Sequence, residues 1–95
     1  MPAYAIVRTV VTDPVQYEEY KKLSPGAVAA FGGEFLVRGG ETLTIEGSTD
    51  DRRMVVLRFP DVEAATACFA SDQYAEARAQ RLGAAEMEIL IVEGV

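Results

Sequence analysis

The chain alternates short β-branched runs with longer stretches in which apolar residues recur every three or four positions. Ala3 to Val11 is almost wholly apolar, broken only by Arg8 and Thr9, and reads as a strand covered on both faces. Thr12-Asp13-Pro14 stops it. Asp13 is a good N-cap, Pro14 suits the first helical position, and Gln16 stands where a capping-box partner would. Tyr17, Tyr20, Leu23, Ala27, Val28 and Phe31 then form one apolar helix face, with Glu18, Glu19, Lys21 and Lys22 in solvent. Pro25 predicts a kink or short break in this helix, and Gly32-Gly33 its end.

Glu34 to Arg38 predicts a second strand. Gly39-Gly40 predicts a bulge or bend, after which Glu41 to Glu46 resumes the strand with Leu43 and Ile45 on one face. Gly47 to Asp51 is turn chemistry. Its Asp50-Asp51 pair lacks the spacing of a calcium loop. Arg53 to Phe59 predicts the third strand, ended by Pro60. Asp61 caps a helix with Val62, Ala65 and Phe69 on its buried stripe, Ser71 or Asp72 starts a further helical segment ending at Leu82-Gly83, and Glu86 to Glu93 is the last strand. The order β-α-β-β-α-β, with right-handed crossovers, predicts an α+β, ferredoxin-like fold. Its four-stranded antiparallel sheet carries the helices on one face.

That arrangement leaves a difficulty. The strands are apolar on both parities: Tyr4, Ile6 and Val10 against Val7 and Val11, and Met54 and Val56 against Val55, Leu57 and Phe59. Helices on one side cover only half of this surface, and soluble monomers avoid large exposed apolar patches. A homodimer through the sheet faces is therefore expected.

Composition narrows the function classes. The 95 residues make one domain, 1–95, of ordinary globular character, 49% hydrophobic and 25% charged. A net charge of −6 speaks against nucleic acid as a partner. No apolar run approaches the roughly 20 residues that span a bilayer, so no membrane partner is expected. The first residues read as a strand, without the basic and apolar regions of a signal peptide. The single cysteine, Cys68, forms no internal disulfide and fits a reducing, cytoplasmic compartment. The sequence has no histidine, which removes Ser-His-Asp and Cys-His catalysis and the usual His-ligated haem, zinc and iron sites. Neither a metal nor a cofactor is expected.

Several segments together resemble one family. Val11-Thr12-Asp13-Pro14 with Tyr17 and Tyr20 is one. The run Phe31-Gly32-Gly33-Glu34-Phe35-Leu36-Val37-Arg38-Gly39-Gly40 is the most specific. Glu46-Gly47, Phe59-Pro60, Ser71-Asp72-Gln73-Tyr74, Arg81 and Ile91-Val92-Glu93-Gly94 complete it. The chain resembles, almost end to end, the domain-of-unknown-function family DUF1330. The resemblance implies a dimeric α+β barrel, an architecture shared with antibiotic-biosynthesis-type monooxygenases and muconolactone isomerase. It implies no activity, since one fold hosts unrelated functions.

The candidate chemistry lies in arginines and tyrosines. Period-2 counting puts Arg8, Arg38 and Arg58 on the face away from the helices, inside the expected barrel. There they either neutralise Glu34, Glu46, Glu88 or Glu93 as structural ion pairs, or hold a small anion through bidentate contacts. Arg38, before two glycines, is the leading substrate-binding candidate. Tyr17 and Tyr20, three apart, offer hydroxyls at a pocket mouth or serve simply as core. Tyr74, Arg78 and Arg81 share a helix face one turn after Ser71. With Ser71 they form either an anion site or an ordinary N-cap with dipole-favoured cations in the last turn. Glu46 is the weak candidate for a catalytic base. Cys68 reads as inert packing.

Two functions remain open. One is a small-molecule site, in the barrel or between sheet and helices, for an anionic or polar metabolite undergoing proton transfer, isomerisation or cofactor-independent oxygenation. The other is a non-enzymatic dimeric binding or interaction module with structural arginines. A cavity holding arginines without carboxylate partners would favour the first.

Overall fold

A computed structural model describes residues 1–95. Its elements are β1 (Ala3–Val11), α1 (Pro14–Ala30), β2 (Glu34–Arg38), β3 (Arg53–Phe59), α2 (Val62–Ala70), α3 (Asp72–Arg81) and β4 (Ala85–Glu93). The four strands form one antiparallel sheet in the order β2-β3-β1-β4. This is the ferredoxin-like α+β architecture that the element order predicts, with all helices on one face. No helix is long and apolar enough to cross a membrane.

Local chemistry sets the boundaries. Asp13 Oδ1 accepts from the Gln16 amide at 3.1 Å and Asp61 Oδ1 from the Ala64 amide at 2.7 Å, so both residues are N-caps as expected, but the capping box does not form: the Gln16 side chain donates to the Gln80 carbonyl and the Asp13 amide to the Ala84 carbonyl. Ser71 separates α2 from α3. Its hydroxyl accepts from the Tyr74 amide and donates to the Cys68 carbonyl. Under the helices, Ala3, Ala5 and Val7 of β1 and Val55, Leu57 and Phe59 of β3 form the main core with Val28, Ala65 and Cys68. A second cluster, Tyr17, Tyr20, Ala27, Tyr74 and Ala77, seals α1 against α3. The small residues Ala3, Ala5, Ala27, Ala65 and Ala77 leave room for the helices to pack closely on the sheet and on one another.

Four expectations are corrected. First, Glu41 to Glu46 does not resume the strand. Gly39 turns the chain at φ +71°, and β3 starts only at Arg53, so no strand lies opposite Leu43 and Ile45. A strand without a ladder partner is not stable. Second, of the bulge or bend expected at Gly39-Gly40 only the bend is there, and the bulge falls earlier, at Leu36: Phe35 pairs with Leu57 and Val37 with Val56, leaving Leu36 as the extra residue. Third, α1 runs unbroken through Pro25. Fourth, Leu23 is exposed, and Ser24 takes its place on the buried stripe with Tyr17, Tyr20, Ala27 and Val28.

The bulge has a large effect. Beyond it every side chain of β2 changes face. Arg38 pairs with Val55, a helix-side residue, and so lies under the helices, while Val37 joins Val56 on the open face. The expectation that Arg38 shares the barrel face with Arg8 and Arg58 therefore fails. For the other two it holds: Arg8 and Arg58 lie opposite Glu88 and Glu34 on the uncovered side.

Candidate functional site

The bulged end of β2 and the middle of α1 border an open cleft whose enclosed part is small, about 30 Å³. Its walls are Val7, Val28, Val55, Leu57 and Phe69, all apolar. Arg38, Arg53, Lys21 and Ser24 bring the charge and polarity, and Tyr17, Tyr20, Phe35, Tyr74 and Met87 complete the lining. An apolar hollow with a few convergent polar groups is the usual form of a small-molecule site.

Arg38 is fixed by the proline that was expected to kink α1. Pro25 has no N–H, so the Lys21 carbonyl, four residues earlier, lacks the helical hydrogen bond that residue 25 would otherwise donate. Arg38 Nη2 donates to that carbonyl at 3.1 Å. Its guanidinium also lies over the Phe35 ring, 4.6 Å from the centroid. No carboxylate meets Arg38 or Arg53 within 4.0 Å. Arg53 instead lies over the Tyr17 ring at 5.8 Å. Lys21 is engaged by Glu18 at 3.2 Å. The mouth thus offers two guanidinium groups whose remaining donors have no protein anion, and Arg is suited to bidentate carboxylate recognition.

The inner wall is aromatic. Tyr20 packs against Tyr17 and edge-on to Tyr74, and Tyr74 is edge-on to Phe69. The Tyr20 and Tyr74 hydroxyls are 2.9 Å apart. Burial, reinforced by Tyr74, pushes the Tyr20 hydroxyl far above its ordinary pKa, so it stays protonated.

Of the residues singled out in the sequence, Arg38, Tyr17, Tyr20 and Tyr74 come together in the cleft. The rest do not. Ser71 is occupied as the N-cap of α3, its hydroxyl bonded on both sides. Arg81 lies behind the aromatic wall, 5.6 Å from the Tyr20 ring centroid. Glu46 is exposed in the irregular segment between β2 and β3, and Glu93 is exposed at the end of β4; neither lines the cleft. Cys68 is fully buried. Arg53 and Ser24 escaped the sequence reading. Arg53 shares the parity of Val55 and Leu57, the one signal that places it under the helices.

The open face is a different environment. Arg8 meets Asp50 at 3.4 Å, Arg52 meets Asp50 and Glu88, and Arg58 meets Glu34 at 3.5 Å. These arginines tie the segment before β3 to β1 and β4, and β2 to β3.

Fold and cleft together define the protein as a ferredoxin-like α+β protein with a sheet–helix cleft. It belongs to the family described as domain of unknown function DUF1330, whose model matches residues 2–95. No functionally curated protein matches the chain. Among solved structures it is similar to the methylated RPA0582 protein, which comes from Rhodopseudomonas palustris, at 17% identity and a TM-score of 0.75, covering 99% of this chain and 81% of that one. SnoaB, a cofactor-independent oxygenase from Streptomyces nogalater, is similar at 16% identity and a TM-score of 0.70, covering 99% and 93%. So is a dimeric ferredoxin-like protein of unknown function from Jannaschia sp. CCS1, at 10% identity and a TM-score of 0.65, covering 99% and 100%. At these identities the likeness is one of fold.

Proposed function

We propose that the protein binds a small organic carboxylate in the sheet–helix cleft and works as a homodimer paired through its open sheet face. The observation that carries the binding half is how the arginines are partnered. Arg8, Arg52 and Arg58 on the open side each meet a carboxylate, whereas Arg38 and Arg53 at the cleft meet none. The first group is structural. The second group is what an anion site requires, with Arg38 as anchor and Tyr17 and Tyr20 shaping the wall.

The assembly half rests on one row of side chains. Val37, Val56, Ile6 and Leu90 stand side by side across all four strands of the uncovered face. Leu90 is 57% exposed and Val92, in the neighbouring row, 48%. A second copy stacked about a two-fold axis covers this row, and the dimeric Jannaschia protein has the same fold. A cytoplasmic setting suits the lone buried thiol.

Thermal shift of the chain against a panel of small carboxylates and phenolic acids, with Arg38→Leu in parallel, tests the cleft. A compound at a hundred times its Kd stabilises by about 2.7 kcal/mol, which in a domain of this size raises Tm by roughly 10–20 °C. The shift should vanish in Arg38→Leu, whose own Tm should stay close to the parent's because Arg38 is exposed. No shift with any compound sinks the reading.

A further inference from the structure

Two phenols meet at the inner wall of the cleft, and their hydrogens can be counted. Tyr20 and Tyr74 are 8% and 1% exposed, with hydroxyl oxygens 2.9 Å apart. Two hydroxyls own two hydrogens, and the bond between them uses one. For the other, the protein acceptor in reach is the Met87 thioether, 3.9 Å from the Tyr20 oxygen and 4.0 Å from that of Tyr74. Sulfur of this kind accepts weakly. The pair, held by edge-on aromatic packing, therefore keeps one hydrogen without a strong acceptor, and both tyrosines line the cleft together with Val7, Val28 and Leu57. A buried donor without a strong acceptor favours a ligand that supplies one.

The same cleft is lined by Arg38 and Arg53, and mostly by apolar side chains. We infer, resting on the carboxylate reading above, that the ligand is an oxo acid with an apolar body, its carboxylate at Arg38 and a remote carbonyl oxygen accepting from the Tyr20–Tyr74 pair. A carbonyl closes the hydrogen count with nothing left over. A hydroxyl there accepts equally well but brings a hydrogen of its own, which leaves one still to place. Burial raises Tyr20 and keeps its phenol neutral at physiological pH, so it donates rather than abstracts a proton.

Titration calorimetry with octanoate, its isomers carrying a keto group at carbons 4 to 7, and the matching hydroxyoctanoates tests this. One or more keto isomers should bind about tenfold tighter than octanoate, and tighter than the hydroxy counterpart. The count makes a sharper demand on variants. Tyr20→Phe and Tyr74→Phe each leave one hydroxyl with one free hydrogen, so at least one single variant should keep the keto preference. The double variant has no hydrogen to give and should lose it while still binding octanoate, which also shows that it folds. Equal affinity for octanoate and every keto isomer, with binding still dependent on Arg38, overturns the oxo-acid inference and leaves the carboxylate site standing. A keto preference that persists in the double variant overturns it too. Failure of every carboxylate to bind overturns both.

Discussion

Burial pushes the Cys68 thiol up to about 11 from an ordinary 9.0. The folded chain thus holds this proton more tightly than the unfolded chain does. The resulting stability is intact below pH 9 and is lost as pH rises through 11. A shift of this size corresponds to on the order of 2 kcal/mol. Urea unfolding at pH 8 and pH 10.5 should show the decline, and Cys68→Ala should flatten it between pH 9 and 10. Above pH 10 Tyr20, raised mainly by burial, adds its own loss. Single residues were also where the sequence was most and least informative. Tyr17, Tyr20, Tyr74 and Arg38 were legible as candidates because aromatic hydroxyls and a guanidinium before two glycines are conspicuous. The face of Arg38 was not legible. It depends on Leu36 being bulged, and nothing in Phe35-Leu36-Val37 distinguishes a regular strand from a bulged one.

At the scale of elements, α1 links two observations that the sequence kept apart. Pro25 frees the Lys21 carbonyl, and Arg38 takes it. Pro25→Ala restores an amide that competes for this carbonyl. Tm should hold or rise, since proline disfavours a helix interior by about 3 kcal/mol relative to alanine, while carboxylate affinity should fall as Arg38 loses its anchor. A melting curve and a binding isotherm on the same sample check both. The junction of α1 and β2 is tight in another way. A methyl group on Gly33 would come within 2.7 Å of both Phe59 Cε1 and Val28 Cγ1, so Gly33→Ala should cost about 1–3 kcal/mol, read from urea midpoints. The segment between β2 and β3 is held by charge. The hydrogen bonds from Arg52, with Arg8 nearby, lower the Asp50 carboxyl from 3.8 to about 2. Its contribution is present above pH 4 and disappears as pH falls through 2. Amide exchange at residues 41–49 should accelerate across that window while the strands stay protected. The expected strand at Glu41 to Glu46 failed for a reason outside its own residues: pattern reports a preference for extended backbone, and only the sheet decides whether a neighbour exists.

The whole molecule is a slab, 34 × 32 × 16 Å, with helices above and bare sheet below. Its architecture was readable because cap residues, helical spacing and strand parity all agreed on one order of elements. The apolar residues on both parities likewise announced that one sheet face needs a cover. A standard interface takes about 800 Å² per partner, which a face of this breadth supplies. Sedimentation velocity should show a dimer, and Leu90→Lys, which sets a cation in the apolar row, a monomer. The slab has a further consequence. Every cleft residue projects from the helix side, and every residue of the pairing row from the other, with a sheet one backbone thick between them. Pairing and ligand uptake should then be thermodynamically independent. Each dimer would fill two equivalent sites with a Hill coefficient of one. Diluting the protein until it dissociates would leave affinity unchanged, and the Leu90→Lys monomer would titrate on the same curve as the parent dimer.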